Sequence, residues 1–309
     1  MAAEGATAGN DCAGVVVAVG SDVHGRFAVG DRICAAMVPM NPLAPRAGAF
    51  AEYAAVTADF ALKVPDGMPI HHAVALGIGV ATIGYALYRS LRIPGHPDRP
   101  AEKPVLVLVY GGSTASGTMA IQLIRRSGCI PITTCSERNF GLVAEYGAKK
   151  AWDYHDDSVV AAIKAYTEDG LEYVLDCVCD AGSMEFCYRV LGRAGGRYTT
   201  LEPYPDNLSI IQTRKRRVKP EWIMGPALLG KEIGWKPPYD IDPDPELRVF
   251  GKEWFLCAQR LLDRREIQPH PVKIGEKQGF GAVLDGVELL RAKAVSGQKL
   301  VYYVGDVEE

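Results

Sequence analysis

The feature that most constrains this chain is the continuous apolar run Val105-Leu-Val-Leu-Val-Tyr110, followed at once by Gly111-Gly-Ser-Thr-Ala-Ser-Gly117. A strand with no polar face is one buried on both sides of a sheet. A turn of small residues at the start of a helix lets backbone amides approach a diphosphate at the positive helix end. The spacing departs from Gly-x-Gly-x-x-Gly, so the strand–turn–helix context carries the assignment rather than the string. A tight βα turn with no ligand is the competing reading. Position on the first of five βα units favours a nucleotide site. Gly77-Ile-Gly79 with Gly84 is a decoy, because it lies within a helical stretch and no strand precedes it.

From Val105 onward strand and helix alternate. Helices are expected at 118–127, 139–146, 159–167 and 184–190, and further strands at 130–135, 150–153, 173–178 and 195–200. Such βα repeats predict a parallel sheet with right-handed crossovers. Before them, strands are expected at 12–20, 29–34 and 49–56, then a helix from Ile70 to about Arg89 and the linker Pro94-Gly-His-Pro-Asp-Arg-Pro100. The tail predicts helices at 250–263 and 282–291 and a last strand at 299–304. The fold class is α/β, in two domains, as 309 residues imply.

Composition narrows the function. Lys and Arg number 34 against 37 Asp and Glu, a net charge of -3, which excludes the basic excess of a nucleic-acid binder. Met1 to Asn10 does not read as a signal peptide, and the apolar runs 15–19 and 105–109 are too short to span a bilayer. A cytoplasmic protein with no membrane contact is expected. The eight cysteines form no Cys-x-x-Cys pair and read as reduced thiols, with no metal site expected. Cys177-Val-Cys179 suits neither a disulfide nor a chelate. His71-His72 reads as a solvated pair at a helix start rather than a proton relay.

The second strand ends in Thr134-Cys-Ser-Glu-Arg-Asn139. An NAD site usually has an acidic side chain at this strand tip. Ser136, with Arg138 and then Lys149 and Lys150 beyond it, suits a 2′-phosphate better, so NADPH is the expected cofactor. The alternative keeps Glu137 on the ribose and Arg138 in solvent. Arg214-Lys-Arg-Arg217 with Lys219 is the basic cluster, a solvated run or a docking patch for an acidic partner.

Together these motifs resemble the medium-chain dehydrogenase/reductases, and within them the fungal trans-acting enoyl reductases of polyketide biosynthesis. The resemblance rests on Asn10-Asp-Cys-Ala-Gly14, Val29-Gly-Asp-Arg32, Val109-Tyr-Gly-Gly-Ser-Thr-Ala115, Cys135-Ser-x-x-Asn139, Leu175-Asp-Cys177, Gly192-Arg-Ala-Gly-Gly196, Gly225-Pro226 and Ser296-Gly-x-Lys-Leu-Val301. It implies a Rossmann NADPH-binding domain over 77–246 and a smaller, incomplete GroES-like β domain built from 1–76 and 247–309. It implies that Ser113, Thr114, Ala115 and Ser116 hold the cofactor diphosphate. Ser136, Glu137, Arg138 and Asn139 would hold the adenosine phosphate, with Tyr154 near the adenine. Leu201 and Glu202 would lie beside the nicotinamide, and Val301 and Tyr302 would make a late cofactor contact. Leu76, Gly77, Ile78, Gly79, Val80, Ala81, Thr82 and Ile83 would line a substrate pocket with Gly225, Pro226, Ala227, Leu228 and Leu229.

Zinc-dependent relatives carry Gly-His-Glu where this chain reads Asn10-Asp-Cys, and a four-cysteine lobe with no counterpart here, so the resemblance implies zinc-independent chemistry. The implied reaction is hydride delivery from NADPH to a carrier-bound enoyl thioester, with an acyl carrier domain of a polyketide or hybrid synthase as partner and a monomeric enzyme. A quinone or alkenal reductase of the same fold, or a silent NADPH-binding subunit, are the alternatives. Relatives start several dozen residues before the match to Asn10–Gly14, with a cofactor-contacting lysine motif, so a truncated gene product or a misassigned start is expected. No catalytic residue is assigned.

Overall fold

A computed structural model describes residues 3–23, 25–204 and 209–304. Met1 and Ala2, in the segment read above for a leader, and 305–309 of the expected C-terminal domain lie outside the described residues. The chain begins with β1 (Asp11–Val15), β2 (Arg32–Ala36), β3 (Ala61–Lys63), α1 (Ile70–Ala73) and α2 (Gly77–Gly84), which runs on as a π-helical stretch at Tyr85–Ser90. The alternating part is β4 (Leu106–Tyr110), α3 (Ala115–Arg126), β5 (Ile130–Thr134), α4 (Phe140–Glu145), β6 (Lys150–Trp152), α5 (Val159–Tyr166), β7 (Tyr173–Asp176), α6 (Ala181–Val190) and β8 (Gly196–Thr200). After it come α7 (Ser209–Arg214), β9 (Val218–Trp222), α8 (Pro245–Asp263), β10 (Val272–Ile274), α9 (Phe280–Arg291) and β11 (Lys299–Val301). Two compact units result, 1–81 with 225–309, and 82–224.

The second unit is a six-stranded parallel sheet in the order β6-β5-β4-β7-β8-β9. That is the Rossmann order, which reverses direction between β4 and β7 and opens a crevice at their carboxyl ends. Val107, Leu108 and Val109 are fully buried, as the unbroken apolar run requires. β9 was not expected, because its Val-Lys-Pro-Glu-Trp follows the basic cluster and contains a proline. It is the edge strand of the sheet, where a missing amide does no harm.

In the first unit β1, β2 and β3 form an antiparallel sheet, with Cys12 opposite Ala35 and Cys34 opposite Leu62. The expected strand at 49–56 is not one. Its Ala49 and Phe50 amides donate to Gly9 O and Ala8 O, which fastens it as a loop. The third strand is Ala61–Lys63, too short to show an alternation, and tertiary burial of Phe60, Ala61 and Leu62 sets it in place. The segment 225–246 packs with this unit rather than with the sheet unit, where the expected boundary at 246 put it. Trp235 Nε1 donates to Pro39 O at 3.0 Å and Asn41 Nδ2 donates to Glu232 O at 3.2 Å. Helix α8 starts where Asp244 accepts the Leu247 amide at 2.8 Å, with Pro245 in its first turn. Its apolar stripe, Leu247, Gly251, Trp254, Phe255, Ala258 and Leu262, is the buried face.

The single helix expected from Ile70 to Arg89 is interrupted by a turn at 74–76 and widens into the π-helical stretch. Ile70–Ser90 has the length and, over its most apolar 18 residues, the mean hydropathy, 1.5, of a membrane span, although its unbroken apolar runs are short. Its most apolar window is 61% buried within the protein, the position of a core helix.

His270 gives this unit a pH signature. The side chain is 4% exposed, and burial, then the neighbouring Lys299 charge, push its pKa down to about 4 from 6.5. A base with a depressed folded pKa contributes stability that is present above pH 6.5 and lost as pH falls through 4. Urea titrations between those limits should therefore show a loss of about 3 kcal/mol. His270→Gln should flatten that slope, and an unchanged slope would refute the assignment.

Candidate cofactor and substrate site

The turn after β4 is built by three glycines. Gly111 has φ +82°, and both its amide and that of Gly112 donate to Thr134 O, at 3.1 and 3.0 Å. A Cβ on Gly112 would lie 2.0 Å from Thr133 Oγ1, and one on Gly117 would lie 2.3 Å from Gly111 O. Helix α3 therefore meets the turn backbone to backbone. Thr114 caps it, accepting the Gly117 amide at 2.9 Å while donating to Gly111 O at 2.8 Å. Ser113, Thr114, Ala115 and Ser116 are the residues left half-exposed along this turn, between the buried Gly112 and Gly117. Thr134, whose carbonyl takes both glycine amides, keeps a buried hydroxyl with no hydrogen-bond partner among the described residues. A strip of small residues at the N-terminus of a twelve-residue helix, beside the strand-order reversal, fits a dinucleotide diphosphate.

At the tip of β5 the structure brings Ser136 and Tyr154 together, Oγ to Oη 3.3 Å, and the Tyr154 ring lies 6.1 Å from that of Tyr110. Tyr154 is 39% exposed, and its ring lies 4.1 Å from that of His155. Glu137 and Arg138 are exposed, and Asn139 closes the turn by donating its amide to Ser136 O. A second carboxylate, absent from the sequence expectations, stands here. Asp153 Oδ2 lies 3.4 Å from the Glu137 amide, and the His155 backbone amide holds the Asp153 carboxyl below the usual range. Leu201 and Glu202 follow β8, with Glu202 exposed.

In the first unit one carboxylate organises the start of α2. Asp11 Oδ1 accepts the Ile78 amide at 2.6 Å, and Asp11 Oδ2 pairs with Lys299 Nζ at 2.5 Å. A Cβ on Gly77 would lie 2.4 Å from Ala35 O, so a glycine is needed for this approach. Trp254 Nε1 donates to Val80 O at 2.8 Å. Leu76, Gly77, Gly79, Val80, Ala81 and Ile83 are buried, which leaves Ile78 and Thr82, one turn apart on α2, as the half-exposed members of the segment. Gly225, Pro226, Ala227, Leu228 and Leu229 are all buried, with Leu228 against Gly251 of α8. Val301 is buried, and the Tyr302 ring fills the notch between Gly275 and Gly286.

Two expectations change. His71 is not a solvated residue, since its Nδ1 lies 3.0 Å from Tyr303 Oη, while His72 is exposed. Arg214 is not part of a free basic patch. Its guanidinium donates to Tyr188 O, Leu191 O and Gly192 O and so caps the end of α6. Lys215, Arg216 and Lys219 stay exposed.

Asp176 stands in the sequence only as the middle of the Leu175-Asp-Cys177 match, with no role of its own. It is buried at the end of β7 and accepts from Ser183 Oγ at 2.6 Å, Tyr198 Oη at 3.0 Å and the Val178 and Cys179 amides at 2.9 and 3.0 Å. Burial raises its pKa from the ordinary carboxylate value. An acidic residue after an apolar strand is the one cue, and it does not distinguish this role from an exposed one.

Comparison with known proteins places this geometry among relatives. The alcohol dehydrogenase GroES-like domain family matches residues 1–66, and the zinc-binding dehydrogenase family matches 115–201. The trans-enoyl reductase FSL5 of Gibberella zeae is 48% identical over 99% of this chain and 85% of its own length. The trans-enoyl reductase pvhC of Talaromyces variabilis is 48% identical over 97% of this chain and 83% of its own. Among solved structures, the CurK enoyl reductase superposes with a TM-score of 0.74 at 17% identity, covering 98% of this chain and 80% of that one. At that identity the likeness speaks for the fold.

Proposed function

Since the chain belongs to the trans-enoyl reductases of the medium-chain dehydrogenase/reductase superfamily, oxidoreductases acting on carbon–carbon double bonds, we propose that it uses NADPH to reduce the α,β double bond of a polyketide enoyl thioester held on an acyl carrier domain. The observation that carries this reading is the glycine-built turn at the α3 N-terminus, open along Ser113–Ser116 at the reversal of strand order. In this reading Ser136 and Arg138 take the 2′-phosphate, Tyr154 faces the adenine, and Leu201 and Glu202 lie beside the nicotinamide. A bound nicotinamide cofactor supplies the hydride. The chain's own task is to orient the acyl chain and to meet the charge that develops on the thioester oxygen. Thr82, half-exposed one turn from Ile78, is the hydroxyl of α2 suited to that.

The synthase is a partner, met as a monomer through its acidic carrier domain. Lys215, Arg216, Arg217 and Lys219 are the cations for that contact, now without Arg214. The test is cofactor consumption with an enoyl thioester on a carrier domain, against NADPH and NADH, with a simple quinone as the competing substrate. Turnover of the carrier-bound substrate with NADPH is expected, and the double variant K215E/R216E should raise its KM about tenfold at low salt. Quinone turnover alone would point to a free-substrate reductase. NADPH binding without turnover of any substrate would point to a silent subunit.

A further inference from the structure

Between β7 and α6 the chain passes through Cys177, Val178 and Cys179, and Cys179 sits at φ +68°. That is the left-handed region, which is strained for a side-chain-bearing residue and which glycine adopts freely. Strain of this kind persists only where the surroundings impose it. Here they do so from two sides. A Cβ on Gly111 of the diphosphate turn would lie 2.8 Å from Val178 Cγ2, so the loop rests directly on that turn. On the other side, Cys179 Sγ donates to Asp176 O at 3.2 Å and accepts the amide of Leu201 at 3.3 Å. Beneath both, the Asp176 carboxylate holds the Val178 and Cys179 amides.

We propose that Cys179 is a positioning residue whose thiol fastens Leu201, the first residue beyond β8, to the loop lying over Gly111, and so sets the spacing between the diphosphate turn and the nicotinamide end of the cofactor bed. The inference rests on the reading of Leu201 and Glu202 as nicotinamide neighbours. The thiol works as a hydrogen-bonding clip rather than as a nucleophile, because burial and the nearby Asp176 push its pKa up to about 11 and keep it protonated at neutral pH.

A glycine at this position relieves the backbone and removes the clip, so stability and function should separate. Cys179→Gly should unfold at the same temperature as the wild type or higher. It should also show a KM for NADPH raised about tenfold and a lowered kcat, because a small displacement of the reacting end is costly. Binding of 2′,5′-ADP, which tests the adenosine end alone, should be unchanged. Cys179→Ser, which keeps a donor and an acceptor on a shorter bond, should recover part of the loss. Wild-type kinetics in Cys179→Gly would overturn the proposal, as would a loss of 2′,5′-ADP binding in step with NADPH. A wild-type protein that binds 2′,5′-ADP and NADPH with no effect of either variant leaves the cofactor reading standing and sinks the clip alone. A wild-type protein that binds neither ligand overturns the cofactor reading and the clip with it.

Discussion

Replacing Gly117 by alanine is expected to weaken NADPH binding by about a hundredfold. The added Cβ would sit 2.3 Å from Gly111 O and 2.7 Å from Gly112 Cα, both backbone atoms that cannot swing aside. Helix α3 must then back away from the turn. Its first-turn amides move off the diphosphate position, and the Thr114 cap, which accepts the Gly117 amide, is stretched. Overpacking at such a point costs about 1–3 kcal/mol of stability as well. Gly141 provides the control, because a Cβ placed there, in the exposed part of α4, meets no heavy atom within 4 Å among the described residues beyond its own helix. Gly141→Ala should leave binding alone and stabilise by up to about 1 kcal/mol. Fluorescence titration of NADPH with both variants decides the matter. Equal affinity in Gly117→Ala and wild type would remove the turn from the cofactor site.

The second large effect concerns Asp11. Its carboxylate is 10% exposed and Lys299 is 24% exposed, so their contact is a nearly buried pair that also carries the Ile78 amide. Asp11→Ala leaves an ammonium and an amide without their acceptor, and such losses run to about 3–5 kcal/mol. A charge left alone is more costly than a pair removed together. Asp11→Asn combined with Lys299→Met should therefore unfold at a higher urea concentration than Asp11→Ala. A double variant no more stable than the single one would show that the pair is not what holds β1, α2 and β11 together. Since Ile78 lies in the first turn of α2 and Val301 lies two residues from Lys299, Asp11→Ala should also depress kcat/KM at temperatures where it remains folded.

The same pair shows where sequence alone stops. Asp11 and Lys299 are 288 residues apart, and no local pattern joins them. What is legible locally is whatever a strand period or a turn conformation dictates over a few residues. The run at 105–110 must be buried on both faces, and the turn after it needs glycines whatever the rest of the chain does. Ser136 at the β5 tip follows from the same unit, and its meeting with Tyr154 follows from the parallel pairing of β5 with β6. The strand at 61–63 is different, because three residues carry no period and burial of Phe60 and Leu62 puts it there. Arg214 reads as one cation among five until the end of α6 is seen to offer it carbonyls.

Apolar period and turn chemistry are local quantities, so the α/β class and the segments with candidate site residues are legible in the chain itself, while the family is legible as a resemblance carried by its motifs. Only the tertiary structure decided which of those residues remain open, at Ser113–Ser116, Ile78 and Thr82, and which are committed to the core. It alone placed Cys179 in a left-handed turn beneath Leu201. Burial, a buried charge's partner and a strained φ arise from contacts between distant parts of the chain, and those exist only once it has folded.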